Sequence, residues 1–142
     1  MAHATLLKFG YPDTLIHEGE HWVVLTRPAQ VTLGSLVLCA KSEATSYADL
    51  PPAAFLEQRS LVRSIEQMLR AHVQAERINY LMLMMVDPHV HFHVLPRYRG
   101  ERELDGVARS DSAWPGPPDL SQTAPLSPSL VSALKQRWRT AT

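Results

Sequence analysis

The apolar positions of this chain change their spacing several times, and each change marks an element. Trp22 to Leu25 is apolar and β-branched and predicts a strand, with a polar turn from Thr26 to Thr32. Gly34 to Ala40 predicts a second strand, and its run Leu36-Val37-Leu38-Cys39-Ala40 reads as buried. After the polar linker Lys41 to Tyr47, Asp49-Leu50-Pro51-Pro52 has the form of a helix start, since proline is tolerated in the first turn, where its missing N–H is not needed. Phe55, Val62, Ile65, Leu69 and Val73 then recur at spacings of three, four and seven up to about Glu76. That pattern is an amphipathic helix with Arg59, Arg63, Glu66 and Arg70 largely on its wet side. Ile78 to Val86 is almost unbroken apolar sequence and predicts a central strand covered on both faces, joined to the next strand by a tight turn at Asp87-Pro88.

The next stretch, His89-Val90-His91-Phe92-His93-Val94-Leu95-Pro96-Arg97-Tyr98, alternates histidine with apolar residues. Successive side chains of a strand point to opposite faces, so His89, His91 and His93 are expected on one face and Val90, Phe92 and Val94 on the other. Beyond Tyr98 the pattern fades. Arg97 to Arg109 is rich in charge, and Trp114-Pro115-Gly116-Pro117-Pro118 predicts irregular chain. Ser127-Pro128 has the form of an N-cap followed by proline at the first helical position, with Leu130, Val131, Leu134 and Trp138 on one side of a short terminal helix. The elements add up to an α+β domain: a mostly antiparallel sheet, one long helix and a tail that must dock.

Composition narrows the function classes. At 142 residues the chain suits one domain with a real core. Fourteen basic residues against fourteen acidic ones leave no net charge, which argues against a binder of nucleic acid polymers while leaving room for a small charged ligand held by local contacts. A single cysteine, Cys39, makes no intramolecular disulfide and points to a reduced, cytoplasmic setting. The N-terminus shows no signal-peptide pattern, and no apolar run approaches a membrane span.

Three imidazoles on one face support two chemistries. Neutral imidazole is a good nucleophile near neutral pH and also moves protons, so attack on phosphorus would give a phospho-histidine that water or another acceptor discharges. Imidazole is equally the commonest metal ligand, and histidines two apart on a strand can share an ion with a third ligand from elsewhere. Three histidines at period two argue against ordinary surface residues. Arg97, Arg99 and Arg102 follow them and offer forked donors to phosphate, unless they form a solvated loop balanced by Glu101, Glu103 and Asp105. His17, His21 and His72 read as surface histidines, the Met82, Met84 and Met85 cluster as adaptable core filling, and Trp114 as a packing anchor.

His89-Val90-His91-Phe92-His93-Val94-Leu95 resembles the histidine triad pattern of alternating histidine and apolar residues, and Pro96-Arg97 extends it as in the diadenosine polyphosphate hydrolase branch. The resemblance covers about Leu15 to Pro118. It implies a histidine-triad-like α+β fold with a five-stranded, mostly antiparallel sheet over residues 1–118. Residues 119–142 would form a tail whose short helix docks on the domain or on a dimer partner. It further implies a homodimeric nucleotide hydrolase or nucleotidyl transferase cleaving at an α-phosphate. In that reading His91 is the nucleophile, His89 and His93 orient and polarise the phosphate, and Arg27, Ser35 and Arg97 touch substrate. No metal or other cofactor is required, although leaving polyphosphates travel with magnesium. The alternatives are a metal-dependent hydrolase or metal-binding protein, and a nucleotide-binding protein of weak turnover. The chain also departs from the family pattern. Asp87-Pro88 stands where a Gly-rich loop with a polar donor is usual, Ser35 where a fourth histidine opens the second strand, and Thr26-Arg27 where an acidic or amide residue meets the ribose.

Overall fold

A computed structural model describes residues 2–141. In chain order these form α1 (Ala4–Lys8), β1 (Leu15–Glu18), β2 (Trp22–Thr26), β3 (Ala29–Gln30), β4 (Leu36–Ala40), α2 (Pro52–His72), β5 (Arg77–Leu81), β6 (His91–Arg97), β7 (Glu101–Leu104), β8 (Val107–Ser110), β9 (Ala124–Pro125) and α3 (Pro128–Ala141). The main sheet is five-stranded in the order β1-β2-β4-β6-β5, and every neighbouring pair is antiparallel. The expected α+β architecture of sheet, long helix and short terminal helix is the one observed.

Every residue of β2 and β4 is buried, because the sheet is covered on both faces. On one face Trp22, Val24, Leu36, Leu38 and Val94 share a core with Ile65, Met68 and Leu69 of α2 and with Leu130, Leu134 and Trp138 of α3. On the other, Val23, Leu25, Val37 and Cys39 pack against Leu6 and Phe9 of the N-terminal segment. This second layer was not foreseen: five residues of helix are too few to show a period, and α1 is held by a side-chain cap, the His3 Nδ1 accepting from the Leu6 N–H at 3.3 Å.

The buried stripe of α2 is Ala54, Leu61, Ile65, Met68 and Leu69. Phe55, expected in it, is exposed, and Val62 is half-buried, so the stripe sits slightly around the helix from the expected one. Residues 119–142, expected as a docking tail, are tied to the rest by β9, which pairs with β3, and by α3, whose Trp138 ring stacks on His17 at 5.1 Å. The outermost residues of the expected ranges, Met1 and Thr142, lie outside the described residues.

Two expectations are corrected. β5 ends at Leu81, and Met82 to Val90 form a loop in place of a longer strand and a tight turn. Met84 lies in the left-handed region at φ 55°, a conformation no strand accommodates, and Leu83, Met85 and Val86 are 47%, 84% and 81% exposed. The charged stretch after Arg97 contains the β7–β8 hairpin, turning on Asp105-Gly106 with φ of 49° and 87°, the two left-handed residues that a two-residue hairpin turn requires.

Arg97 ends β6 and locks the far end of the sheet. Its Nε and Nη2 donate to the Asp111 carboxylate at 2.7 and 3.1 Å, Nη1 donates to Asn79 Oδ1 at 2.8 Å, and Nη2 also donates to the Gly116 carbonyl at 2.9 Å. Both members of the pair have under a twentieth of their side-chain surface exposed (4% and 3%). Removing one partner of such a pair strands a buried charge. Asp111→Ala is therefore expected to lower the unfolding free energy by about 3–5 kcal/mol, and the double change Arg97→Met with Asp111→Leu to recover much of it, both read by urea denaturation.

Candidate active site

β6 begins at His91, so two of the three histidines lie on it. His91 stands opposite Cys39 and His93 opposite Val37 on β4, which places both imidazoles on the face covered by the N-terminal segment. Their rings meet edge to face at 5.1 Å, and the Phe9 ring lies 5.5 Å from His91 and 5.7 Å from His93. Both line a pocket of about 380 Å³. Its walls are Phe9, Pro28 and Ala29, the exposed loop Leu83 to Asp87, and Leu120, with Lys8 and Arg27 as its cations. Met85, expected as core filling, is one of these wall residues.

Hydrogen bonds fix where the protons sit. His91 Nδ1 lies 2.7 Å from the His89 carbonyl oxygen. A carbonyl only accepts, so Nδ1 carries the proton and neutral His91 keeps its lone pair on Nε2. His93 has the opposite arrangement. Arg27 Nε donates to His93 Nδ1 at 3.2 Å, and a guanidinium has no lone pair to offer, so neutral His93 carries its proton on Nε2. Burial, followed by the nearby Arg27 charge and His91, pushes His93 down to about 4, which keeps it neutral at neutral pH. The pocket therefore holds one imidazole presenting a lone pair beside one presenting an N–H. Cys39 does not compete as nucleophile, since burial raises its thiol to about 12.

His89 does not join this pair. It precedes the strand, its ring is absent from the pocket lining, and it stacks on His3 at 3.9 Å with its Nδ1 2.8 Å from Thr5 Oγ1. The expectation of three imidazoles in a row on one strand face is corrected accordingly. Ser35 is fully buried and works inside the turn before β4, its Oγ donating to the Thr32 carbonyl at 2.8 Å and accepting from the Thr32 N–H at 3.0 Å. The Ser35 carbonyl accepts the Arg27 N–H at 2.9 Å, and Gln30 Nε2 donates to the carbonyls of both Arg27 and Ser35 at 2.8 Å. Ser35 and Gln30 thus hold the segment that carries Arg27. Arg97 is occupied by Asp111, Asn79 and Gly116, away from the pocket lining.

Sequence reasoning missed His3, Thr5, Phe9, Gln30 and the Lys8–Asp87 ion pair, whose Nζ to Oδ2 distance is 2.9 Å. All but Gln30 act across a long stretch of chain, and no local spacing announces them; Gln30 acts within its own turn, on Arg27, Gly34 and Ser35. Among the described residues, the side chains close enough together to share a metal ion are Glu20 and His21 of the β1–β2 turn with Glu57 of α2, not the triad. There Glu57 already accepts the backbone N–H groups of His21 and Trp22 at 3.1 Å.

Fold and site together define an α+β protein whose pocket is floored by strand-borne histidines. The HIT domain pattern matches residues 9–100, and the chain belongs to that family, whose members bind nucleotides and act in general as nucleotide hydrolases or transferases. Solved structures agree on the fold. A histidine triad protein from Sinorhizobium meliloti superposes with a TM-score of 0.77 at 17% identity, covering 100% of this chain and 96% of that one. One from Bradyrhizobium japonicum gives 0.75 at 18%, covering 99% and 96%. A zinc-bound histidine triad family protein from Mycobacterium smegmatis gives 0.65 at 18%, covering 96% and 91%. No curated protein matches the sequence. Among the described residues no helix is long and apolar enough to cross a membrane.

The lowered His93 has a measurable consequence. An unfolded chain protonates this ring near the ordinary 6.5, while the folded one resists until about 4. Between those values the unfolded state holds the extra proton. Stability therefore rises as pH climbs through that window and is lost on acidification, by at most about 1.4 kcal/mol per pH unit. Arg27→Gln removes a neighbouring charge and is expected to move the His93 titration upward and flatten this dependence, read by NMR titration of the ring and urea unfolding at pH 5 and pH 7.

Proposed function

We propose that the protein is a nucleotide hydrolase or nucleotidyl transferase that works through a covalent nucleotidyl-histidine on His91. The observation that carries this reading is the pair of opposed tautomers. His91 Nε2 attacks phosphorus with its lone pair as the bond to the leaving group breaks. The Nδ1–H bond to the His89 carbonyl at 2.7 Å stabilises the positive charge that the ring acquires. His93 donates its Nε2–H to a phosphate oxygen or to the leaving group, with Arg27 behind it supplying positive potential. Water or another acceptor then attacks the phosphorus and the His91 nitrogen departs.

The pocket supports a substrate with one reacting phosphate and an apolar leaving group over a dinucleoside polyphosphate. Its cations are Lys8, already paired with Asp87, and Arg27, so the lining residues carry a single net positive charge against the several negative charges of a polyphosphate. The exposed Leu83, Met85 and Val86 offer apolar contact. The reading needs no metal, because an imidazole nitrogen is the nucleophile; magnesium would enter only with a polyphosphate leaving group. A homodimer in the cytoplasm completes it, supported by the exposed Phe55 and Leu56 of α2 as surface for a second copy and by the single free, buried cysteine.

The test is to incubate chelator-treated protein with a fluorogenic adenosine phosphoramidate and, separately, with diadenosine tetraphosphate. Turnover of the phosphoramidate is expected to persist without metal, to exceed that of the polyphosphate in kcat/KM by at least about tenfold, and to fall by more than about a thousandfold in His91→Asn. Activity that vanishes on chelation and returns with zinc would transfer the case to a metal-dependent hydrolase. Tight nucleotide binding without turnover would transfer it to a binding protein.

A further inference from the structure

Residues 2–8 precede the matched family domain, yet they reach the nucleophile through a short chain of contacts. His91 owes its tautomer to the His89 carbonyl, and the carbonyl's direction is set by the backbone of His89 and Val90. Val90 is clamped on both sides, its N–H donating to the Ala44 carbonyl at 3.2 Å and its carbonyl accepting from the Ala40 N–H at 3.0 Å. His89 has its side chain held instead. One ring face lies on His3 at 3.9 Å with an interplanar angle of 14°, and Nδ1 bonds Thr5 Oγ1 at 2.8 Å.

His3 is itself fixed. Its Nε2 donates to the Ala40 carbonyl at 2.7 Å while its Nδ1 accepts the Leu6 N–H that opens α1. The ring thus spans from α1 to the end of β4, the same strand end that grips Val90. His3 and Thr5 are 6% and 1% exposed, so this is interior structure with little freedom to rearrange. Further along the segment Lys8 pairs with Asp87, on the chain leading into His89, and Phe9 packs on both pocket histidines.

We propose that the segment His3 to Lys8 is a positioning brace for the nucleophile, with Thr5 as its key residue, acting through His89 on the proton position and aim of His91. The inference rests on the reading of His91 as nucleophile. Thr5 does not line the pocket. Its loss should free the His89 ring and leave the His89–Val90 peptide held only by the 3.2 Å bond from the Val90 N–H to Ala44, so that the peptide rocks and His91 divides between two tautomers, only one of which has a lone pair on Nε2. The effect belongs in the chemical step and not in ground-state binding.

The test compares Thr5→Val, which keeps the shape and removes the hydroxyl, with Thr5→Ser, which keeps the hydroxyl. Turnover of the adenosine phosphoramidate is measured alongside long-range ¹H–¹⁵N NMR of the His91 ring and thermal unfolding. Thr5→Val is expected to lower kcat by about tenfold with KM changed less than about twofold, and to replace the single Nδ1–H signature of His91 by a mixture. Thr5→Ser is expected to restore both. The proposal falls if Thr5→Val leaves kcat and the His91 signature as in the wild type, or if Thr5→Ser loses activity equally while the signature stays intact. If the wild type turns nothing over but Thr5→Val still shifts the His91 tautomer, the brace stands and the nucleotidyl reading fails. If His91→Asn abolishes turnover and Thr5→Val changes nothing, the reverse holds.

Discussion

The hydrogen bond from His91 Nδ1 to the His89 carbonyl, at 2.7 Å, exists only because the chain leaves strand geometry just before His91. Within a regular strand carbonyls lie in the plane of the sheet and bond to neighbouring strands, while side chains stand perpendicular to it. A carbonyl in the ladder could not cap a ring projecting from the same strand two residues on. His89 must therefore sit outside β6, and something else must hold it there. Ala40 and Ala44 grip Val90 by its backbone, and His3 and Thr5 grip His89 by its ring. The proton position of His91 follows from that departure, whereas that of His93 follows from Arg27.

The sheet's two covers have different consequences. α2 and α3 seal one face with an aliphatic and aromatic core, which makes β2 and β4 rigid supports. The face bearing His91 and His93 is covered only in part. α1 and Phe9 close it at one place, and the pocket opens beside them between Pro28-Ala29 and the loop Leu83 to Asp87. Burial there is deep enough to hold His93 neutral, yet the loop Leu83 to Val86 leaves apolar side chains facing solvent. A neutral donor, a free lone pair and one guanidinium suit a phosphate of low charge beside an apolar group.

Much of the fold was legible because periodicity reports burial directly. Trp22 to Leu25, the run to Ala40, the helix after Pro51 and the terminal helix at Pro128 each showed a local pattern matching its element. The misreadings share a cause. Leu83, Met84, Met85 and Val86 are apolar because they line a pocket, and hydropathy cannot tell a pocket wall from a core strand. β7 and β8 were hidden by alternating charge, although Asp105-Gly106 is a hairpin turn signal. In the site, His91 and His93 come together as their spacing suggested, and Arg27, offered only by the family resemblance, joins them. Arg97 was singled out for its guanidinium, but Asp111, distant in sequence, decides what that guanidinium does.

The sequence by itself determined the central strands β2 and β4, the helices α2 and α3, the face shared by His91 and His93, and the kind of chemistry available, because these depend on side-chain identity and on periods of two and 3.6 residues. Only the tertiary structure decided which nitrogen of each ring holds its proton, that His89 braces rather than faces the pocket, and that residues before the matched domain reach the site. Those properties depend on a lone pair meeting an N–H or O–H across dozens of residues of chain: Thr5 with His89, Arg27 with His93, His3 with Ala40. No local pattern encodes such meetings, since they are set by where the packed sheet and its covers bring the chain.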